Sequence, residues 1–272
     1  MDMDSSLFTH NSSLKVTLLG TGTSGGVPSL GCQCEVCRSQ DPRDHRLRCV
    51  ALVESATTRI LIDCGPDLRE QLLREHVTGL DAVCLTHPHC DHLDGLDDLQ
   101  GLTVFSRQEL PFYSSEENLR VVHERFGYVD QLKYLSDGSP RWSVPQLSYR
   151  AVTEPFDVNG VRVVPLKLFH GKAATYGYRI GSLAYICDCS RIPDETYAQL
   201  EGVTDVVLDA LRWKAHPTHF NIFQAEDEFH RIGARHAWLT HLTHDILYER
   251  DSKLVAPGCT LAYDGLTFNF DA

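Results

Sequence analysis

One short segment constrains this chain more than any other: Leu85-Thr86-His87-Pro88-His89-Cys90-Asp91-His92-Leu93-Asp94-Gly95. Three histidines and an aspartate fall within six residues, directly after the apolar run Ala82–Thr86, which reads as a strand. Imidazole and carboxylate are ligands of borderline divalent metals such as Zn²⁺, Mn²⁺ and Fe²⁺. His87 and His89, two apart in an extended loop, project to the same side and can chelate one ion. Asp91 and His92 follow where the chain turns toward a helix, which aims them at a second point nearby. The alternative is a solvated loop in which histidines gather by chance, and the spacing speaks against it.

Around this segment, short β-rich runs alternate with helical ones along the whole chain. Strands are expected at Lys15–Leu19, Val50–Glu54, Ile60–Asp63 and Ala82–Thr86, where Val, Ile and Leu form short apolar runs. A helix is expected over Pro66–Glu75, since proline suits a first turn and Leu68, Leu72 and Leu73 share a side. Between Gly101 and Glu154 the pattern weakens, with Pro111, Pro140 and Pro145 interrupting it and one helix around Glu116–Arg125. That stretch reads as an insert whose aromatics (Phe105, Phe112, Tyr113, Phe126, Tyr128, Tyr134, Trp142) frame a pocket or pack as a satellite core. Strands return at Val161–Phe169, Tyr176–Ile180 and Leu183–Cys187. A helix at Asp194–Leu200, a strand at Val206–Leu208, a helix at Ile222–Ile232 and a strand at Ala237–Thr240 follow. Leu261–Tyr263 and Thr267–Phe270 read as a closing hairpin around Asp264-Gly265. The expectation is a single α/β domain over residues 14–272, preceded by a flexible tail over 1–13. Gly20-Thr21-Gly22-Thr23-Ser24-Gly25-Gly26 follows the first strand, but it lacks the spacing and helix of a dinucleotide site and the Lys of a P-loop. It reads as a turn.

Composition narrows the function classes. A net charge of −12, from 25 Lys+Arg against 37 Asp+Glu, supplies no basic face for long RNA or DNA. No apolar run approaches the ~18 residues of a membrane span. The N-terminal MDMDSSLFTHNSS is acidic and polar where a secretory leader would be basic and then apolar, so a cytoplasmic location is expected. In a reducing compartment the ten cysteines do not read as a disulfide framework.

His-x-His-x-Asp-His after a strand resembles the metal-binding signature of the metallo-β-lactamase superfamily of binuclear metallohydrolases. The rest of the chain agrees in order: Asp63 in Leu61-Ile62-Asp63-Cys64-Gly65, then His170, Asp188 and His241, each at an expected strand exit. The resemblance implies a four-layer αββα sandwich with the site at one edge of two sheets. It implies that His87, His89 and His170 hold one divalent ion and that Asp91, His92 and His241 hold the other. Asp188 would bridge the two, with Asp63 orienting the site from behind. Zn²⁺ or Mn²⁺, or else Fe²⁺, is the implied pair.

Gly31-Cys32-Gln33-Cys34-Glu35-Val36-Cys37 packs three thiols together, a soft donor set that favours Zn²⁺ and needs a fourth ligand. A redox Cys-x-x-Cys is the alternative, without a thioredoxin-like context. The arrangement is similar to the phosphoribosyl cyclic phosphodiesterase branch of the superfamily, in which such a loop and a late histidine bind a structural zinc. The matching histidine is His244. In the same branch a histidine just before a helix contacts phosphate and protonates the leaving oxygen; His219 matches it, with His216 the lesser candidate. Asn221 reads as the N-cap of the following helix, whose N-terminus favours an anion. Asp209, ending a strand, is expected to support the site by hydrogen bonds. Arg43, Arg46 and Arg48 read as a solvated charged turn, with phosphate recognition as the second reading.

Two ions sharing Asp188 would bridge a hydroxide as nucleophile, with Asp91 among the catalytic ligands. The expected function is thus hydrolysis of a small phosphodiester, cyclic substrates included. A tRNA 3′-processing endoribonuclease, a non-phosphoester hydrolase and a pyrroloquinoline-quinone-biosynthesis-type protein are the alternatives within the fold. A zinc-binding scaffold is the non-enzymatic one, disfavoured because all seven ligand positions are filled. The expected partner is a small anionic substrate meeting a cationic pit in an acidic surface, with no long nucleic acid and no membrane. A homodimer is allowed.

Overall fold

The computed structural model describes residues 13–272. Two seven-stranded sheets stack face to face. The first holds β1 (Ser13–Gly20), β2 (Val50–Glu54), β3 (Arg59–Ile62), β4 (Ala82–Cys84), β5 (Leu110–Ser114) and β6 (Leu147–Ala151). The second holds β7 (Phe156–Val158), β8 (Val161–His170), β9 (Ala173–Ile180), β10 (Leu183–Ile186), β11 (Asp205–Asp209), β12 (His236–Thr240) and β13 (Cys259–Leu261). A final strand, β14 (Leu266–Asp271), returns to the first sheet, giving the orders β14-β1-β2-β3-β4-β5-β6 and β13-β12-β11-β10-β9-β8-β7.

Strand alternation explains the layers. Along β2, Ala51 and Val53 face the core between the sheets, whereas Val50 and Leu52 face outward. On β10, Leu183 and Tyr185 point inward while Ala184 and Ile186 point outward. The outer face of the first sheet is covered by α1 (Leu68–Arg74), α2 (Cys90–Leu93), α3 (Leu99–Ser106) and α4 (Glu116–Leu132). The second is covered by α5 (Asp194–Leu200) and α6 (Ile222–Ile232), with the short α7 (Tyr248–Asp251) beside them. This is the expected αββα sandwich, and among the described residues no helix is long and apolar enough to cross a membrane.

Four expectations change. The two C-terminal strands form no hairpin: β13 pairs with β12 and β14 with β1, so the Asp264-Gly265 turn carries the chain from one sheet to the other. Asp264 holds that crossing by accepting hydrogen bonds from Thr21 N–H, Thr21 Oγ1–H and Leu47 N–H. Residues 101–154 are no irregular insert, because β5 and β6 extend the first sheet in parallel and Phe112 is buried in its outer core. Pro111 is tolerated in β5 because pairing with β4 starts only at Phe112. The helix read at Glu116–Arg125 runs on as α4 past a non-helical Phe126. Finally, Ser13 already belongs to β1, and the remainder of the expected tail lies outside the described residues.

Candidate active site

The strand ends determine the site. Asp63, His87, His170, Asp188, Asp209 and His241 end β8 and β11 or leave β3, β4, β10 and β12 within three residues, all at one edge of the sandwich. Asp63 (φ 68°), Asp188 (φ 49°) and His241 (φ 61°) are left-handed non-glycine residues, a conformation that costs about 1–3 kcal/mol each and persists where surroundings enforce it. Gly65 lets the metal-motif loop close on this edge, since a Cβ there would sit 2.0 Å from the Asp91 carbonyl oxygen.

Asp188, almost fully buried, shares its two carboxylate oxygens between two groups of histidines. Oδ1 lies 3.1 Å from His92 Nε2 and 3.0 Å from His241 Nε2. Oδ2 lies 3.5 Å from His87 Nε2 and 3.9 Å from His170 Nε2. Asp91 Oδ2 completes the first group at 3.4 Å from His92 Nε2 and 3.6 Å from His241 Nε2. The exposed His89 completes the second, its Nδ1 2.9 Å from His87 Nε2. These separations resemble the edges of a tetrahedron with metal–ligand bonds of about 2.0 Å, roughly 3.3 Å.

Hydrogen bonds behind the histidines fix which nitrogen faces inward. His92 Nδ1–H donates to Asp63 Oδ2 at 2.7 Å, and His170 Nδ1–H to the Thr218 carbonyl at 2.7 Å. Thr86 Oγ1 accepts from His87 Nδ1–H at 3.0 Å and in turn donates to Asp63. Nε2 is therefore the nitrogen of His87, His92 and His170 that faces inward, the one a metal would take once its proton is displaced. His92 Nε2 and both ring nitrogens of His241 are buried without a hydrogen-bond partner. Buried polar atoms are rarely left so, and a pair of divalent ions among these groups would satisfy the Nε2 atoms of His92 and His241. The electrostatics agree. Burial would raise the Asp188 pKa, yet the His241 and His92 imidazoles hold it well below the carboxylate range. Burial would likewise lower His241, but the charges of Asp188 and Asp91 lift it to about 10. The site demands positive charge.

His219 stands beside these groups. Its Nδ1–H donates to Asp209 Oδ2 at 2.7 Å, and its ring lies 4.5 Å from that of His170 and 4.7 Å from that of His241. Asp209 also accepts from Cys189 N–H, which ties it to the segment after Asp188. Asn221 caps α6 in a reciprocal box with Gln224, as its position suggested.

The three thiols gather separately with His244: Cys32 Sγ is 3.2 Å and Cys34 Sγ 3.4 Å from His244 Nδ1. The Cys37 N–H bonds the Cys34 sulfur and lowers its pKa to about 6, with His244 assisting against burial. Burial pushes the Cys37 thiol up to about 11. A Cys₃His set of this size fits a structural Zn²⁺. The nearby arginines are not a solvated turn. Arg46 is fully buried, ion-paired to Asp44 and donating to the carbonyls of Thr243 and Ile246, so it ties the cysteine loop to the His241–His244 segment. Arg43 pairs with Asp41 across the Tyr248 ring, and Arg48 pairs with Asp67. The glycine-rich strand exit has a similar bracing role, pairing Gly22 with Leu242 next to His241. Two groups escaped the sequence reading: Thr86, legible only in its adjacency to His87, and the Thr218 carbonyl, a backbone group with no side-chain signal.

Two sheets with helices outside, and a buried His/Asp centre built at one edge with a carboxylate between two ligand groups, define a metallohydrolase of the metallo-β-lactamase fold. Residues 58–242, more than half of the chain, match the family model described as "Beta-lactamase superfamily domain", and the chain belongs to that family. It is similar over 95% of its length to 98% of a crystallised diphosphatase from the PhnP family, with 38% identity and a TM-score of 0.87. It is 38% identical over 93% of its length to an octanoyltransferase of Porphyromonas gingivalis, of which it spans only 51%. Zn²⁺-bound PqqB from Methylobacterium extorquens shares the fold, with a TM-score of 0.73 and 21% identity over 94% of this chain and 100% of that one.

Proposed function

We propose that this chain is a metal-dependent phosphoester hydrolase acting on a small phosphodiester or diphosphate, cyclic ribose phosphates included. The observation that carries the reading is the shared Asp188 beside the Asp209–His219 pair: two divalent-ion positions adjoin one histidine whose Nε2 is free to exchange a proton. Two bound ions would supply Lewis acidity at a phosphoryl oxygen and lower the pKa of water. The protein does the rest. Asp188, Asp91, His87, His89, His92, His170 and His241 would hold the ions, while Asp63, Thr86 and the Thr218 carbonyl keep a proton on Nδ1 of His92, His87 and His170 and turn Nε2 to the metal. Asp209 holds the proton on Nδ1 of His219, so Nε2 delivers a proton to the leaving oxygen when the ring is charged. The N-terminus of the eleven-residue α6 favours an anion nearby.

The likeness to a PhnP-family diphosphatase supports phosphorus chemistry, and the −12 net charge favours a small substrate over long nucleic acid. The octanoyltransferase relative motivates a second reading, acyl-thioester hydrolysis at the same centre, although the chain spans half of that protein. Metal-loaded protein should be assayed on ribose cyclic phosphate, a nucleoside diphosphate compound, an aryl phosphodiester and an octanoyl thioester. Turnover confined to the phosphorus substrates is expected. Cleavage of the thioester alone would overturn the assignment.

A further inference from the structure

His216 belongs to none of the groups above, yet its chemistry is fixed by its neighbours. The Thr218 N–H points at its Nδ1 from 3.4 Å, and Thr218 Oγ1 lies 3.2 Å from the same atom. A backbone N–H can only donate, so Nδ1 is the acceptor and the ring proton of the neutral imidazole sits on Nε2. Burial first, then His219 and Arg212, lower its pKa and keep that neutral form. Among the described residues no protein acceptor takes up Nε2–H, and the half-buried ring lies 5.2 Å from the His219 ring, next to the candidate proton donor. His219 and His216 thus differ in kind. The first, with Nδ1–H given to Asp209, offers an Nε2 that exchanges protons; the second offers an Nε2–H that only donates.

Thr218 links the two roles. Its N–H and hydroxyl meet His216, its carbonyl accepts from His170 Nδ1–H, and its side chain lies where a Cβ on Gly171 would clash at 2.8 Å. The segment His216–His219 is thereby held against the turn after β8, with the His216 ring fixed through Thr218 beside that of His219.

Building on the proposed hydrolase reading, we propose that His216 Nε2–H is a substrate contact that donates to a non-reacting phosphoryl oxygen, selecting phosphorus substrates by their additional anionic oxygens. Acyl esters have no oxygen at that place. Losing a hydrogen bond to a charged oxygen should cost about 10- to 100-fold in kcat/KM.

Two substitutions separate this contact from a bracing role. His216→Asn keeps an acceptor near the Nδ1 position for Thr218 but removes the distal donor. His216→Gln can return a donor near Nε2 but gives up the acceptor. The rates of metal-loaded wild type and both variants on an aryl phosphodiester are compared, with inorganic phosphate binding by calorimetry and Tm alongside. The Asn variant should lose about 10- to 100-fold in kcat/KM and bind phosphate correspondingly more weakly, with the Gln variant at least about fivefold better than Asn. An Asn variant as active as wild type, or a Gln variant as impaired as Asn, would overturn it. Absence of phosphoester turnover by the wild type would refute the hydrolase reading instead, while the phosphate titration would still test the contact.

Discussion

Replacing Asp63 by Asn changes one atom of a buried side chain and should cripple a metal position it never touches. Asp63 Oδ1 accepts from Thr86 N–H at 2.8 Å, and Oδ2 accepts from His92 Nδ1–H at 2.7 Å, both fully buried. An amide has only one acceptor oxygen, so whichever way it points, an NH₂ group faces one of these donors. Pointing the oxygen at Thr86 leaves NH₂ against His92, whose favourable escape is to move its proton from Nδ1 to Nε2. That places hydrogen where the lone pair should meet an ion, 3.1 Å from Asp188 Oδ1. Pointing the oxygen at His92 instead strands the Thr86 N–H. Without that proton shift, either orientation loses one buried bond and leaves one donor unsatisfied, costing about 1–3 kcal/mol. Losing such an outer partner weakens metal affinity by about 10- to 100-fold. Asn tolerates the φ of 68° at this position, so the backbone is not the cause. Competition with a chromophoric chelator would read out the affinity of each His/Asp ion, and thermal unfolding the stability. Unchanged affinity for both ions would refute the argument that hydrogen bonds fix the histidine tautomers.

His219→Gln should lower kcat by about 10²–10⁴-fold with metal content unchanged, and Asp209→Asn should follow it in the same direction; pre-steady-state rates and metal analysis check both. Cys34→Ser should remove one zinc per chain, lower Tm and leave the Asp188 centre occupied, because that set of ligands is separate from the His/Asp centre. Equal loss from both centres would show that the two are not separable.

That these side chains would gather was legible because each lies at the end of an apolar run that becomes a strand or in the loop just after it, and those strand ends meet at the same edge. His87 through His92 announced the site, and Asp63, His170, Asp188 and His241 fell into place after it. The thiols and His244 were equally plain in type, although only the fold brings His244 next to a loop more than 200 residues away. The failures have physical causes. Asp264-Gly265 is a good hairpin turn locally, and nothing local tells whether the two strands pair with each other or with different sheets. Pro111 looked disruptive because a sequence does not reveal at which residue strand pairing begins. Arg46 looked solvated because its partners, the carbonyls of Thr243 and Ile246, are backbone atoms about 200 positions downstream. The Thr218 carbonyl and the tautomer of His216 were hidden for the same reason.

The most direct test follows phosphoester turnover against metal content during graded chelation of the wild-type protein. Three ions per chain are expected at the start, two in the His/Asp centre and one among Cys32, Cys34, Cys37 and His244. Hydrolysis should disappear as the His/Asp ions leave while the thiol-bound ion remains. Turnover that persists after those ions are gone would show that the His/Asp centre does not carry the reaction.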